Sequence, residues 1–323
     1  MSAQAAAPVV TGCKVEPLTN DLPFGAIVRG LTLGQLGDEA VRKQLYDLWI
    51  DQGVLLFRDG DSSAEMHAEL SRCFGPLEEH PFPDVRSESD PSLTKIKYYP
   101  KDGSHFDVQG VVRGGWLPWH SDLVYSSRIN HGGILRPVQL PEKHGRTGYL
   151  CQISAYNRLP EDLRAKIEDL HVVYEISIDH ASFNFANTKD VHLLRMAHAG
   201  EAIEKRKYTY PRVIHPMVYT QEITGRKVLN VSPGFALGIY EDGSLAGDDL
   251  LAEVCSYCMD PQLAYYHDWK QDDMVLWDNW RVLHCAEGVE LEDTRVLMRT
   301  TISGDYALGK ALGIDGPVAN FDI

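Results

Sequence analysis

Several absences narrow what this chain can be. It has no apolar run near the ~20 residues a membrane helix needs. The opening "MSAQAAAPVV" has neither a positive start nor a long apolar centre, so no secretory signal is expected and the cytoplasm is the expected location. The six cysteines (Cys13, Cys73, Cys151, Cys255, Cys258 and Cys285) are scattered and form no disulfide framework. There is no basic excess: the net charge of −15 argues against nucleic acid or an anionic membrane as the main partner, though not against a local basic pocket for an anionic substrate. Internal repeats, dinucleotide-binding glycine fingerprints and phosphate-binding glycine loops are also missing. Cys255 and Cys258 form a lone C-x-x-C, but they share helical spacing with Leu250, Leu251 and Val254. That spacing reads as the buried face of a helix rather than a metal or redox site.

What is present is an ordinary globular composition, 44% hydrophobic and 24% charged, enough to build a core. One domain over 1–323 is expected, with about 1–12 a loose tail. "DEAVRKQLYDLWIDQG" predicts a helix stopped by Gly53, and "VLLFRD" a buried strand. Ser62 and Glu65 predict a capping box for the next helix. Residues 76–115 read as strands joined by long loops. Strands follow at 119–125, 132–139, 147–153, 217–220, 227–231, 263–269, 274–277 and 295–302, with helices in "LPEDLRAKIEDL" and near 248–258. Residues 175–210 read as an irregular cover. The pattern is mainly β with flanking helices (α+β), a barrel or sandwich.

Within the predicted strand 119–125, His120 and Asp122 stand two apart and would share one face. The pair can grip a metal or be an ordinary surface pair. His284, after the strand "MVLW" and the turn "DN", adds a second imidazole. Two histidines and one carboxylate make the facial triad of non-haem Fe(II) oxygenases, which leaves three metal positions open. Arg295 and Arg299 share a face of "RVLMRTTI". Either they are exposed on an outer strand face, or they are aimed inward to meet anions, since buried guanidinium groups are costly without them.

The chain resembles the taurine dioxygenase and dichlorophenoxyacetate dioxygenase family of Fe(II)/2-oxoglutarate oxygenases. The similarity runs through "DQGVLLFRD", "LSRCFGPLEEHPF", "WHSD", "HGGILRPVQLPEKHGRTGYL", "IHPMVYTQEITGRKVLNVSPGF", "VLWDNWRVLHCAEG" and "TRVLMRTTI". It implies a double-stranded β-helix, or jelly roll, with Fe(II) held by His120, Asp122 and His284 at one open end. It implies that Arg295 binds the distal carboxylate of 2-oxoglutarate and that Thr147 contacts the same cosubstrate. His80, Arg299 and Phe235 match substrate positions of the taurine enzyme. Trp116 replaces a polar residue there, which points away from taurine toward a flatter or more apolar substrate, with Phe82 as a further wall.

The implied reaction consumes O2 and 2-oxoglutarate, hydroxylates a small organic acid, carboxylate or sulfonate, with an apolar or aromatic body, and releases succinate and CO2. A homo-oligomer is expected. Two other classes fit a bare triad: a hydrolase or isomerase using another divalent metal, and a non-catalytic jelly-roll binding protein. The arginine–threonine pair speaks against the first, and a complete ligand set against the second.

Overall fold

In a computed structural model that describes residues 9–87, 90–207 and 210–313, two β-sheets hold a shared apolar layer. The larger sheet contains, among its seven strands, Val54–Arg58, Met274–Asp278, Gly132–Gln139, Arg295–Thr300 and Leu93–Tyr98, hydrogen-bonded in that order. The smaller has four strands in the order Ala264–His267, Thr147–Cys151, Val282–Ala286, Leu117–His120. Strand alternation explains why "MVLW" is an unbroken apolar run. Val275 and Trp277 join Tyr149, Cys151 and Val282 in the layer between the sheets, while Met274 and Leu276 pack with the flanking helices Glu39–Gln52 and Ala64–Arg72. A third cluster lies on the helix Leu245–Cys258 and buries Cys255 and Cys258 among apolar side chains. The architecture is mainly β with flanking helices, the jelly-roll arrangement expected.

Local chemistry sets the element ends. Asp38 caps the helix Glu39–Gln52 by accepting from the Ala40 N–H, and Gly53 ends it at φ 76°. A Cβ on Gly53 would also lie 2.5 Å from the Arg281 guanidinium, so glycine is required there twice over. The next helix is capped by Ser63, which accepts from the Met66 N–H, not by Ser62, whose hydroxyl donates to Asp272.

Several other expectations are corrected. The strand carrying His120 spans Leu117–His120 rather than 119–125; the chain turns at once, with Leu123 at φ 56°. Strand Thr147–Cys151 passes directly into the helix Gln152–Arg158. The stretch 175–210 is more regular than its polarity suggests, with strand Val191–Arg195 and helix His198–Arg206. Of the expected loose tail, 1–8 lies outside the described residues; Val10 is buried, and the Thr11 N–H donates to Gln44 at 2.8 Å. Among the described residues no helix is long and apolar enough to cross a membrane.

Candidate active site

His120 ends one strand of the smaller sheet, and His284 sits on the neighbouring strand directly opposite it. Register therefore brings the two imidazoles together, with ring centroids 4.1 Å apart. Asp122 reaches them from the turn that follows. Its Oδ1 lies 3.7 Å from His120 Nε2 and 3.8 Å from His284 Nε2. One candidate ligand atom from each residue falls within 4.8 Å of the others. The strand alternation that suggested the His120–Asp122 pair is not what aligns it, because the strand ends at His120 and Asp122 lies in the turn beyond.

The donors suit a cation. His120 Nδ1 donates to the Pro118 carbonyl at 2.9 Å, which leaves the Nε2 lone pair facing Asp122. Burial, with His120 beside it, pushes His284 down to about 3, so its ring is neutral at ordinary pH. Burial alone would push the Asp122 carboxyl up, but the charge of the Arg299 guanidinium beside it outweighs burial and holds it well below the usual carboxylate range. The gaps of 3.7 and 3.8 Å are too long for hydrogen bonds. Two imidazole nitrogens and a carboxylate oxygen converge there, the donor set of a divalent-metal site.

Across from this group, Arg295 and Arg299 project from one face of the strand Arg295–Thr300, and both are buried. Arg299 Nη1 donates to Asp122 Oδ2 at 2.5 Å, so Asp122 turns one oxygen to the histidines and the other to arginine. The expectation that Arg299 awaits an external anion is corrected to that extent: an internal carboxylate already faces it. Its Nε is buried and has no hydrogen-bond partner among the described residues. Arg295 differs. Its Nε donates to the Gly145 carbonyl at 3.0 Å and its Nη2 to Thr147 Oγ1 at 2.9 Å. Among the described residues it has no carboxylate partner, and burial lowers it to about 10. Thr147 Oγ1 also accepts from Trp269 Nε1 at 3.0 Å. With two donors on that oxygen, the threonine proton is left to donate elsewhere.

His80 is buried and caps its own loop. Its Nδ1 accepts from the Phe82 N–H at 3.1 Å, so Nε2 carries the proton, and burial, helped by Arg299, lowers it to about 3. Phe235 stands 6.1 Å from the His120 ring. It holds a strained φ of 70° after Gly234, where a Cβ would come within 2.9 Å of the His120 Cβ. From Phe235 ring contacts run in two directions. One passes through Phe183, His180 and Phe106 to Trp116, the other through Tyr125 to Phe82 and His80. Trp116 ends the first series of ring contacts, and its carbonyl lies 3.4 Å from His180 Nδ1. Sequence reasoning missed Trp269, Tyr125, His180 and Phe183. The signal available was the aromatic pair Phe183 and Phe185 inside an otherwise polar cover.

Jelly-roll sheets, a two-histidine, one-carboxylate cluster on the smaller of them and a buried arginine–threonine pair are features of the class of 2-oxoglutarate-dependent (alpha-ketoglutarate-dependent) dioxygenases. The chain matches the taurine catabolism dioxygenase TauD, TfdA family over residues 14–301, and it belongs to that family. An (S)-phenoxypropionate/alpha-ketoglutarate-dioxygenase from Sphingobium herbicidovorans is 29% identical, over 90% of this chain and 96% of its own. An alpha-ketoglutarate-dependent 2,4-dichlorophenoxyacetate dioxygenase from Cupriavidus pinatubonensis is also 29% identical, over 87% and 95%. The crystal structure of AAD-2 in complex with Mn(II) and N-oxalylglycine shares the fold at a TM-score of 0.70, with 21% identity over 92% of this chain and 99% of that one.

Proposed function

We propose that the chain forms one catalytic domain over 1–323. His120, Asp122 and His284 hold Fe(II), Arg295 and Thr147 hold 2-oxoglutarate, and the substrate is a small organic acid with an apolar or aromatic body. The observation that carries this reading is Arg295, a buried guanidinium with only neutral partners on the same strand face that meets the triad. A bound dicarboxylate supplies the missing charge through a charge-assisted, fork-matched pair.

Bound Fe(II) supplies the O2 chemistry that converts 2-oxoglutarate to succinate and CO2 and hydroxylates the substrate. The protein's part is positioning. Arg295 fixes the distal carboxylate, and Thr147, with its oxygen occupied by Arg295 and Trp269, donates its proton to the same group. Arg299 neutralises Asp122 and keeps the carboxylate oriented. Phe235, Tyr125, Phe183 and Phe82 wall the site with apolar surface, excluding water and favouring an aryl or alkyl body at roughly 25 cal/mol per Å² buried. The neutral His80 Nε2–H and the unpaired Arg299 Nε are the donors for a substrate anion. Trp116 sets the outer edge of the wall.

Incubation with Fe(II), 2-oxoglutarate and a panel of aryloxy and alkyl carboxylates and sulfonates tests the proposal. Succinate should form together with hydroxylated acid. Methyl esters of the same acids should couple at least about tenfold less well, the loss of one hydrogen bond to a charged group. Equal coupling by the esters would reject the anionic substrate, and no succinate with any acid would reject the reaction. The reading includes a cytoplasmic, homo-oligomeric enzyme, which cell fractionation and sedimentation test.

A further inference from the structure

Asp122 lies beyond the end of its strand, so no ladder partner is provided for its peptide groups. The side chain of Asn279 takes that place. Its Oδ1 accepts from the Asp122 N–H at 2.9 Å, and its Nδ2 donates to the Asp122 carbonyl at 2.9 Å. One amide side chain thereby pairs with both peptide groups of a single residue, as a neighbouring strand would. Nδ2 also donates to the Asn130 carbonyl at 3.2 Å and to Asn130 Oδ1 at 3.1 Å, and Oδ1 receives a longer contact from Trp277 Nε1 at 3.4 Å. The orientation of the amide is fixed by these partners: flipping it would set NH2 against the Asp122 N–H and oxygen against two carbonyls. Asn279 is 1% exposed, so no water competes.

Its place in the chain adds a second link. Asn279 sits in the turn between strand Met274–Asp278 and strand Val282–Ala286, the latter carrying His284. One amide therefore ties the turn bearing Asp122 to the hairpin bearing His284. On the other side of Asp122, the Ser121 N–H donates to Ser232 Oγ at 3.1 Å. Leu123 at φ 56° holds a strained turn that must be restrained from outside.

We propose that Asn279 is a positioning residue. It sets the Asp122 backbone so that Oδ1 faces the two histidines while Oδ2 faces Arg299, and it preorganises the metal site before any metal binds. This rests on the metal role given above to the triad. A ligand held by its own peptide groups need not be ordered on binding, so freeing it should weaken the metal more than it weakens the fold. Asn279→Asp is the sharpest variant. It keeps size and shape but replaces the donor with an oxygen facing two carbonyls. Asn279→Ala removes both bonds, and Asn130→Ala removes only a partner remote from Asp122.

The experiment titrates Co(II) anaerobically into the full-length chain by calorimetry, well below the melting temperature of every variant, with thermal unfolding of the metal-free forms measured alongside. Asn279→Asp and Asn279→Ala should weaken Co(II) about 10–100-fold, the range seen when outer partners of metal ligands are removed. Asn130→Ala should change it by less than about threefold, near the lower limit for losing one neutral hydrogen bond. Unchanged Co(II) affinity in both Asn279 variants, with lowered melting temperatures, would make Asn279 merely structural and overturn the inference. Should Asn279→Ala fail to fold, Asn279→Asp carries the test. Wild-type protein whose Co(II) affinity is indifferent to His284→Ala would instead overturn the metal reading itself, which separates the two failures.

Discussion

Arg295 and Arg299 are four residues apart on one face of one strand, and both are buried, yet they live in opposite surroundings. Arg299 meets the Asp122 carboxylate at 2.5 Å, whereas Arg295 meets a carbonyl and a hydroxyl. An isolated buried cation is costly, and a partnered one is tolerable. The charge of Arg299 is therefore balanced within the protein, whereas the charge of Arg295 has only neutral partners among the described residues. The same residue type on the same strand face conceals two different surroundings, and on the function proposed above one arginine orients a metal ligand while the other takes a carboxylate.

The largest effects come from removing what Arg299 serves. Asp122→Ala or His284→Ala should abolish metal-dependent turnover while leaving the melting transition cooperative. Arg299→Leu comes next. It leaves Asp122 buried without its counter-charge, so the metal-free protein should lose about 3–5 kcal/mol of stability, the usual result of breaking a buried pair from one side. Saturating Co(II) should recover part of that loss, because the metal replaces the missing positive charge. If Arg299→Leu melts like wild type without metal, the partnered half of the comparison fails.

At the other arginine the fold should barely notice the change, but the cosubstrate should. Arg295→Gln should raise the 2-oxoglutarate requirement about 10–150-fold, equivalent to about 1.5–3 kcal/mol for a hydrogen bond to a charged group. Thr147→Val should raise it by about tenfold, the low end for a hydrogen bond to a charged group, because the hydroxyl carries no charge of its own. Steady-state dependence on 2-oxoglutarate measures both.

A further effect sets the pH window in which the comparison can be made. Burial lowers His67 to about 4, His131 to about 3 and His215 to about 4, all below the ordinary 6.5. In each case the unfolded chain binds a proton more readily than the folded one, so the stability is present above 6.5 and is lost as pH falls from 6.5 toward 3–4. Urea midpoints should therefore be level from pH 8 to 7 and decline steadily from pH 6.5 to 5. A midpoint that rises on acidification would contradict these burials.

Much of this was legible beforehand. Apolar runs such as "MVLW", glycine stops such as Gly53 and the separation of His284 from Arg295 and Arg299 all carry their meaning in one dimension. What stayed hidden depends on contacts between distant segments. The Asp122–Arg299 pair spans 177 positions and the Asn279–Asp122 bonds 157, and no local pattern announces either. His120 and Asp122 were matched for a reason the fold does not use: alternation along a strand, where the chain in fact turns. Trp269 was invisible because its function is to occupy a lone pair on Thr147, a contact across 122 positions.

The most direct test sets 2-oxoglutarate against 2-oxopentanoate, which has a methyl group where the distal carboxylate would be. Calorimetric titration of each into Co(II)-loaded wild type, Arg295→Gln and Arg299→Leu reads the comparison in one experiment. Wild type and Arg299→Leu should prefer 2-oxoglutarate by about tenfold or more, the minimum for a bond to a charged group. Arg295→Gln should lose most of that preference, keeping only the share that Thr147 supplies. A preference that survives in Arg295→Gln and vanishes in Arg299→Leu would reverse the roles of the two arginines and contradict the account.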